Sequence, residues 1–192
     1  MQEFIHHKIK VIEELISKFN KVQRLFNEKS FDFETQLHAF LNELLQYFNS
    51  RGDQTHEAEI LNFIGRIQTI KRGFNPVKMQ KIETGKRELF WGFAFTVIEA
   101  LLEILAKMHT TEQQKLEEGQ DLISNLILNL YQNKILTDEQ IVELNSVEKI
   151  EIYWNFLLTQ NGSISSIDKK LKMSLIAEDI YLLFEKSLAN IA

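Results

Sequence analysis

The sequence contains no cysteine among its 192 residues, so it supplies no disulfide, no thiolate metal ligand and no cysteine nucleophile. The absence fits a reducing compartment, and we expect a cytoplasmic protein. The N-terminal segment has no apolar stretch typical of a signal peptide, because charged residues recur between Glu3 and Glu14. The most apolar stretch, residues 89–98, is only half of the roughly 20 residues that a membrane-spanning helix needs. We therefore expect no membrane span.

Residues that break helices are scarce, with one proline and seven glycines. Apolar residues recur at intervals of three and four along nearly the whole chain, which is the period of amphipathic helices. No internal repeat or low-complexity linker divides the sequence. We predict an all-α fold, a single-domain helical bundle of about seven or eight helices over residues 1–192, with more than about 60% helix and essentially no sheet.

Capping residues and glycines mark the expected helix ends. Asp32 is a candidate N-cap, Gly52 and Gly73 are candidate C-terminal residues, and Thr137 opens a capping-box sequence with Gln140. The expected helices cover residues 2–28, 32–52, 53–73, 86–109, 110–133, 137–144, 146–162 and 165–188.

Catalytic motifs are also missing. The sequence has no Gly-x-Ser-x-Gly motif and neither of the glycine-rich loops that bind dinucleotides or phosphates. Bundles with two metals use Glu-x-x-His on two helices, and this spacing occurs here once, at Glu3 and His6. His38 and His56 lie near glutamates without repeating the pattern. We predict no catalytic residue, no metal and no cofactor; whether the chain is an enzyme stays open, with the balance against catalysis.

Two glutamates, Glu99 and Glu103, interrupt the most apolar predicted helix, either as a buried carboxylate pair or on a face exposed to water. Their spacing favours exposure, because they share one narrow stripe with other polar or small residues, namely Glu88, Gly92, Thr96 and Lys107. Apolar residues lie on the opposite side, among them Ala94, Val97, Leu101 and Ile104. We interpret this segment as a central helix with a thin polar edge.

The formal net charge of −5 argues against a nucleic-acid partner, because neutralisation of phosphates dominates that affinity. Positive charge is concentrated in residues 71–87, which contain a single acidic residue, Glu83, and also Gly73, Pro76 and Gly85. This connection either binds a small anion through its side chains and free backbone amides or is a solvated basic loop. The candidate ligand-binding residues are Lys71, Arg72, Lys78, Lys81, Lys86 and Arg87.

Aromatic residues cluster in two predicted helices and either line a pocket for a planar ligand or fill the core. They are Phe90, Trp91, Phe93 and Phe95 in one helix and Tyr153, Trp154 and Phe156 in the other. The second helix is apolar around most of its circumference, which suits a buried position or a face covered by another subunit.

The leading functional hypothesis is a non-catalytic protein-interaction or regulatory module that binds a protein partner or self-associates, and we expect a homodimer. The alternative is a bundle that binds a small anionic or amphipathic ligand, with or without catalysis.

Overall fold

The computed structural model describes residues 3–160 and 162–190. The predicted all-α helical bundle is confirmed, since 80% of the chain is helical. Within the described residues there is no strand, and a single isolated bridge joins Phe74 and Lys81. Eight helices lie in these ranges: α1 (Ile5–Asn27), α2 (Phe33–Arg51), α3 (Gln54–Lys71), α4 (Lys86–Gln132), α5 (Asp138–Glu143), α6 (Val147–Gln160), α7 (Gly162–Leu171) and α8 (Ala177–Ala189).

The chain divides into two compact units. Unit 1 comprises Met1–Ile12 and Met108–Ala192, and unit 2 comprises Glu13–Lys107. The divisions fall inside α1 and α4, so each of these helices contributes residues to both units. The expectation that residues 1–192 form a single domain stays a prediction.

In unit 2, α2 and α3 pack against each other. Gly52 ends α2 with φ of 67°, a left-handed conformation that glycine adopts without strain. The Asp53 side chain then accepts a hydrogen bond from the His56 backbone N–H at 3.2 Å and caps α3. Both ends agree with the sequence prediction. Asp32 occupies the N-cap position of α2 as expected, but its side chain makes no capping hydrogen bond.

The core of unit 2 consists of apolar side chains spaced along one face of each helix. Its largest fully buried members include Phe19, Phe33, Leu37, Leu41, Leu44, Phe48, Ile60 and Ile67.

In unit 1, α6 packs against both α7 and α8. The predicted capping box is present at α5, where the Gln140 backbone N–H donates to Thr137 Oγ1 at 3.4 Å and the Thr137 N–H donates to Gln140 Oε1 at 3.0 Å. The Ser146 hydroxyl accepts a hydrogen bond from the Lys149 N–H at 3.4 Å at the start of α6. The core of this unit includes Ile5, Ile123, Ile127, Ile150, Trp154, Leu157, Ile180 and Phe184.

The predicted helix break near Thr110 is wrong, because α4 continues through it for 47 residues in all. Threonine lowers helix propensity only slightly, and neither glycine nor proline occurs between Phe93 and Glu118. The segment is nevertheless where the two units divide, after Lys107. The predicted boundary at Thr110 therefore lies close to the division between the two units and not at the end of a helix.

The single predicted C-terminal helix is also wrong, since α7 ends at Leu171 and α8 begins at Ala177. The Asp179 side chain accepts a hydrogen bond from the Ile176 backbone N–H at 3.3 Å, which starts a new helix. Leu171 and Leu175 are both buried and keep a spacing of four residues across the break. Apolar periodicity alone therefore could not show it.

The polar stripe of α4 is confirmed as exposed, with both Glu99 and Glu103 in solvent. The four residues predicted on its opposite face, Ala94, Val97, Leu101 and Ile104, are buried. The helix is long and apolar enough to cross a membrane by length and composition, and 33% of its most apolar 18-residue window is buried. The core helix of a soluble protein meets the same criterion, so the absence of a membrane span stays a prediction.

Candidate functional site: a cationic aromatic pocket in unit 2

A pocket of about 470 Å³ lies in unit 2. Three parts of the chain form it: the turn between α1 and α2, the end of α3 and the first turns of α4. Its lining combines aromatic, cationic and a few other side chains, namely Lys29, Ser30, Phe31, Phe33, Glu34, Ile70, Lys71, Lys86, Arg87, Phe90 and Trp91.

One wall of the pocket is aromatic. The rings of Phe33 and Trp91 stack with centroids 5.1 Å apart and planes 19° apart, while Phe90 meets Phe33 edge-on at 6.2 Å. Phe26 supports this wall, 5.2 Å from both Phe33 and Trp91. Phe33 is fully buried, but Phe31, which lines the same pocket, is 96% exposed. The wall therefore has a fixed buried part and one aromatic side chain open to solvent.

Four cations line the pocket beside a single carboxylate. The Lys71 ammonium pairs with Glu34 at 2.5 Å, and Lys86 Nζ donates to the backbone carbonyl of Lys71 at 2.7 Å. Within residues 3–160 and 162–190, no carboxylate lies within ion-pair distance of Lys29, Lys86 or Arg87. Three positive charges around the pocket thus have no ion-pair partner in the described part of the chain.

The α1–α2 turn places Lys29 and Phe31 at the pocket. Lys29 adopts a left-handed conformation with φ of 53°, and the Ser30 backbone N–H donates to the Leu25 carbonyl at 3.0 Å to close the end of α1. The Ser30 hydroxyl accepts a hydrogen bond from the Asp32 N–H at 3.2 Å. These bonds hold the turn in a defined conformation on the α4 side of α2.

The first turn of α4 carries Lys86 and Arg87 into the pocket lining. Gly85, with φ of 74°, precedes it and accepts a hydrogen bond from the Leu89 N–H at 3.0 Å. A helix N-terminus carries a partial positive charge. It adds to the field of the two side chains, so this end of the pocket favours an anion.

The structure divides the predicted basic set. Lys71, Lys86 and Arg87 line the aromatic pocket, whereas Lys78 and Lys81 line a separate, more open pocket of about 610 Å³. The sixth residue, Arg72, follows α3 as its C-cap and lines neither of these two pockets.

Within residues 73–82 of this connection, most backbone amides are paired, contrary to the expectation that they are free. The Asn75 N–H donates to Gln80 at 2.8 Å, and the Ile82 N–H donates to Gly73 at 2.7 Å. The Asn75 side chain accepts from the next turn residues, with Val77 at 2.9 Å and Lys78 at 3.0 Å. Residues 73–82 therefore form a hairpin in which most backbone amides are already paired, so an anion here meets mainly side chains.

Sequence reasoning missed the part of the pocket that precedes α3. The sequence pattern places Lys29 and Phe31 in the connection before the second helix, and Phe33 and Glu34 at the start of that helix. Nothing local indicates that they approach residue 86. The exposed position of Phe31 carries one weak signal, since an apolar residue in a capping turn, between Ser30 and Asp32, has no core face to fill.

The other aromatic candidates belong to unit 1. Trp154 is buried in its core, where the indole N–H donates to Asp168 at 2.9 Å, while Phe156 is 51% exposed on the outer face of α6. Tyr153 donates to the Ile135 carbonyl at 3.3 Å, and burial raises the pKa of its phenol.

His6, from the isolated Glu-x-x-His spacing, contacts a buried carboxylate of unit 1. His6 lies with its Nδ1 3.4 Å from the carboxylate of Asp179. Across the described ranges, no three His, Asp or Glu side chains are grouped so as to hold a metal ion.

No known protein family, curated protein or solved structure matches this chain.

Proposed function

We propose that unit 2 binds a small amphipathic anion with a planar or aromatic body. The observation that supports the proposal is the position of Lys29, Lys86 and Arg87, without ion-pair partners in the described residues, around the same pocket as Phe31, Phe90 and Trp91. The sequence analysis gives this function as the alternative hypothesis, a bundle that binds a small anionic or amphipathic ligand. The proposed site now also includes the α1–α2 turn.

The aromatic wall favours an apolar ligand body. Stacked or edge-on contact with exposed aromatic faces contributes about 0.5 to 1.5 kcal/mol per ring pair beyond burial of area. Phe31 also has apolar surface to bury against a ligand, since it is 96% exposed. A volume of about 470 Å³ lies within the usual range of small-molecule sites, roughly 300 to 1,000 Å³.

The cations favour a negatively charged group at one end of that body. Arg87 presents a planar guanidinium suited to bidentate contact with a carboxylate, sulfonate or phosphate, and Lys86 lies beside it in the first turn of α4. Glu34 is already neutralised by Lys71 and does not cancel this attraction. A ligand that carries both features gains from both sides of the pocket.

A matched pair of fluorescent probes tests the proposal. Anilinonaphthalene sulfonate carries a planar aromatic body and an anionic group, whereas phenylnaphthylamine has a similar body without the charge. We expect the sulfonate to bind more tightly and to quench Trp91. Arg87→Gln should weaken its binding about 10- to 100-fold, the range for loss of a charged hydrogen bond, with little effect on the neutral probe. A ligand that is retained on purification would add mass to the protein in the native mass spectrum and be absent from the denaturing one.

The chain offers a control at a second, smaller pocket of unit 2. Lys21 lines a cavity of about 250 Å³ with only one aromatic residue, Phe40. Lys21→Gln should leave sulfonate binding unchanged. Circular dichroism of each variant must match the parent, because this probe also binds partly unfolded states. Equal affinity for both probes, or equal loss in the Lys21 and Arg87 variants, would refute the proposal.

A second candidate function is self-association through α6, which is one form of the leading hypothesis from the sequence, a protein-interaction or regulatory module that binds a partner or itself. Ile152 and Phe156 lie four residues apart on one face of α6 and are 70% and 51% exposed, while Ile150, Trp154 and Leu157 are buried on the other. Large exposed apolar side chains on one helix face are typical of interfaces. We infer that two copies of the chain form a homodimer through this face.

A further inference from the structure

We propose that the hairpin formed by residues 73–82 docks the protein on an anionic lipid surface. The hairpin is outside the aromatic pocket, and the inference stands independently of the ligand proposed there. Its supporting features are an exposed apolar tip and a local excess of positive charge.

The tip of the hairpin is residues 76–79, enclosed by the hydrogen bonds of Asn75 with Gln80 and Met79. Val77 is 75% exposed and Met79 is 71% exposed, with Lys78 between them, also in solvent. Phe74 adds a partly exposed ring at the base. The tip therefore presents two apolar side chains on either side of a cation.

The hairpin is held in this shape by its own bonds. The Asn75 side chain accepts from the Val77 and Lys78 amides, and backbone pairing joins Phe74 to Lys81. A fixed tip loses little conformational entropy when it is immobilised at a surface. Most of its backbone amides already donate hydrogen bonds within the chain. Few of them are therefore left unpaired when the tip enters a less polar environment.

The charge is local and not a property of the whole unit. Unit 2 contains 13 basic and 13 acidic residues, whereas the hairpin, residues 73–82, contains two basic residues, Lys78 and Lys81, and no acidic residue. At 0.1 M salt, screening limits the range of the electrostatic attraction of exposed charges to about 10 Å. A surface close to the hairpin is therefore attracted mainly by the charges of the hairpin and little by those of the rest of the chain. The complementary partner is therefore negatively charged.

An anionic bilayer fits this tip better than an acidic protein. Apolar side chains of an interfacial segment enter the headgroup and acyl boundary by about 5 to 10 Å, and a lysine between them keeps its ammonium among the headgroups. A protein partner would need an apolar pocket on each side of Lys78. A lipid surface provides both environments without such pockets.

Co-sedimentation with vesicles tests the proposal on the full chain. Vesicles of phosphatidylcholine alone are compared with vesicles that contain about 30% phosphatidylserine, an anionic lipid of the type that attracts basic segments. We expect binding to the second only, decreasing with added salt. Lys78→Ala with Lys81→Ala should lower partitioning about 30-fold, at about 1 kcal/mol for each basic residue near the surface.

The apolar part of the tip has its own variant and control. Val77→Thr keeps the side-chain shape, and Met79→Asn suits the left-handed φ of 54° at that position, so neither requires a change of backbone. Together they should lower partitioning at least about tenfold, through loss of buried apolar groups. Val142→Thr with Met173→Gln is a matched control, because these residues of unit 1 are 74% and 81% exposed. Lys169→Ala with Lys170→Ala is the charge control.

The following outcomes would overturn the proposal. Equal binding to both vesicle types, or losses in the controls equal to those in the hairpin variants, would remove the role of the hairpin. Binding of soluble polyglutamate by the hairpin without binding to vesicles would assign the surface to an acidic protein. Resistance of bound protein to alkaline carbonate washing would show insertion of α4 instead of docking at the surface.

Discussion

The Asp179 carboxylate accepts hydrogen bonds from the Ile5 backbone N–H, at 3.1 and 3.2 Å, across 174 residues of sequence. Its Oδ2 also accepts from the Ile176 N–H at 3.3 Å, and the carboxylate is fully buried. Ile5 is the first residue of α1, and Ile176 precedes α8. The amides at helix starts have no partner within the helix, so one buried side chain satisfies the starts of two helices.

Asp179→Ala should lower the free energy of unfolding by about 2 to 4 kcal/mol, because hydrogen bonds to a charged group are lost and buried amides are left unpaired. Urea denaturation followed by circular dichroism measures this change. Asp32→Ala is the control, since Asp32 is an exposed N-cap residue without a capping hydrogen bond. It should cost less than about 1 kcal/mol, from the helix dipole. Equal costs for the two variants would contradict the capping role of Asp179.

Leu101→Ala should cost about 2 to 5 kcal/mol, because Leu101 is fully buried and its truncation leaves a cavity in unit 2. Glu99→Gln is on the exposed stripe of the same helix. It should change the free energy of unfolding by less than about 0.5 kcal/mol. Denaturant unfolding of the two variants compares the faces directly. A large loss in the Glu99 variant would show that this carboxylate is functional or buried.

Two glycines inside α4 should respond in opposite directions to substitution by alanine. A Cβ at Gly92 meets nothing within 4 Å, so Gly92→Ala should stabilise the helix by about 0.5 to 1 kcal/mol. A Cβ at Gly119 would lie 2.6 Å from a methyl of Leu175 and 3.1 Å from one of Leu183. Gly119→Ala should therefore destabilise by about 1 to 3 kcal/mol, as overpacking does. If the melting temperature rises in both variants, α8 and the segment before it move aside without cost in stability, and the prediction for Gly119 is wrong.

Sulfate should raise the melting temperature more than chloride does at matched ionic strength, if an anion binds near residues 71–87. Binding to the native state alone stabilises by about 2.7 kcal/mol at a hundredfold excess over the dissociation constant. We expect Lys29→Gln with Arg87→Gln to reduce the sulfate-specific rise, whereas Lys78→Ala with Lys81→Ala retains it, because Lys78 and Lys81 do not line the aromatic pocket. General stabilisation by surface exclusion of sulfate is common to all variants. The reverse ranking would move the anion site to the hairpin.

Self-association should be visible by light scattering as a dimer mass at tens of micromolar protein, a concentration set by affinities of roughly micromolar strength. Ile152→Lys places a charge on the exposed face of α6 and should yield a monomer without loss of helix. Val142→Lys, at another exposed apolar site of unit 1, should leave the dimer intact. A parent protein that is monomeric under these conditions would remove this candidate function.

The helical class, the helix ends at Gly52 and Thr137 and the exposed stripe of α4 that carries Glu99 could all be predicted from the sequence alone. These features depend on residues within about four positions of one another, through helical period, capping bonds and the left-handed freedom of glycine. Local pattern is sufficient for them because each is decided by neighbours along the chain.

The long-range contacts and two of the helix boundaries could be found only from the folded chain. The contact of Asp179 with Ile5 and the approach of the α1–α2 turn to Lys86 join residues far apart in sequence, and neither leaves a local signature. The break between α7 and α8 was hidden because buried leucines keep helical spacing across it, and α4 continues past Thr110 because no residue there opposes a helix. Such features depend on which helix faces pack together. That packing is decided by contacts between whole helix surfaces and not by residues that are neighbours along the chain.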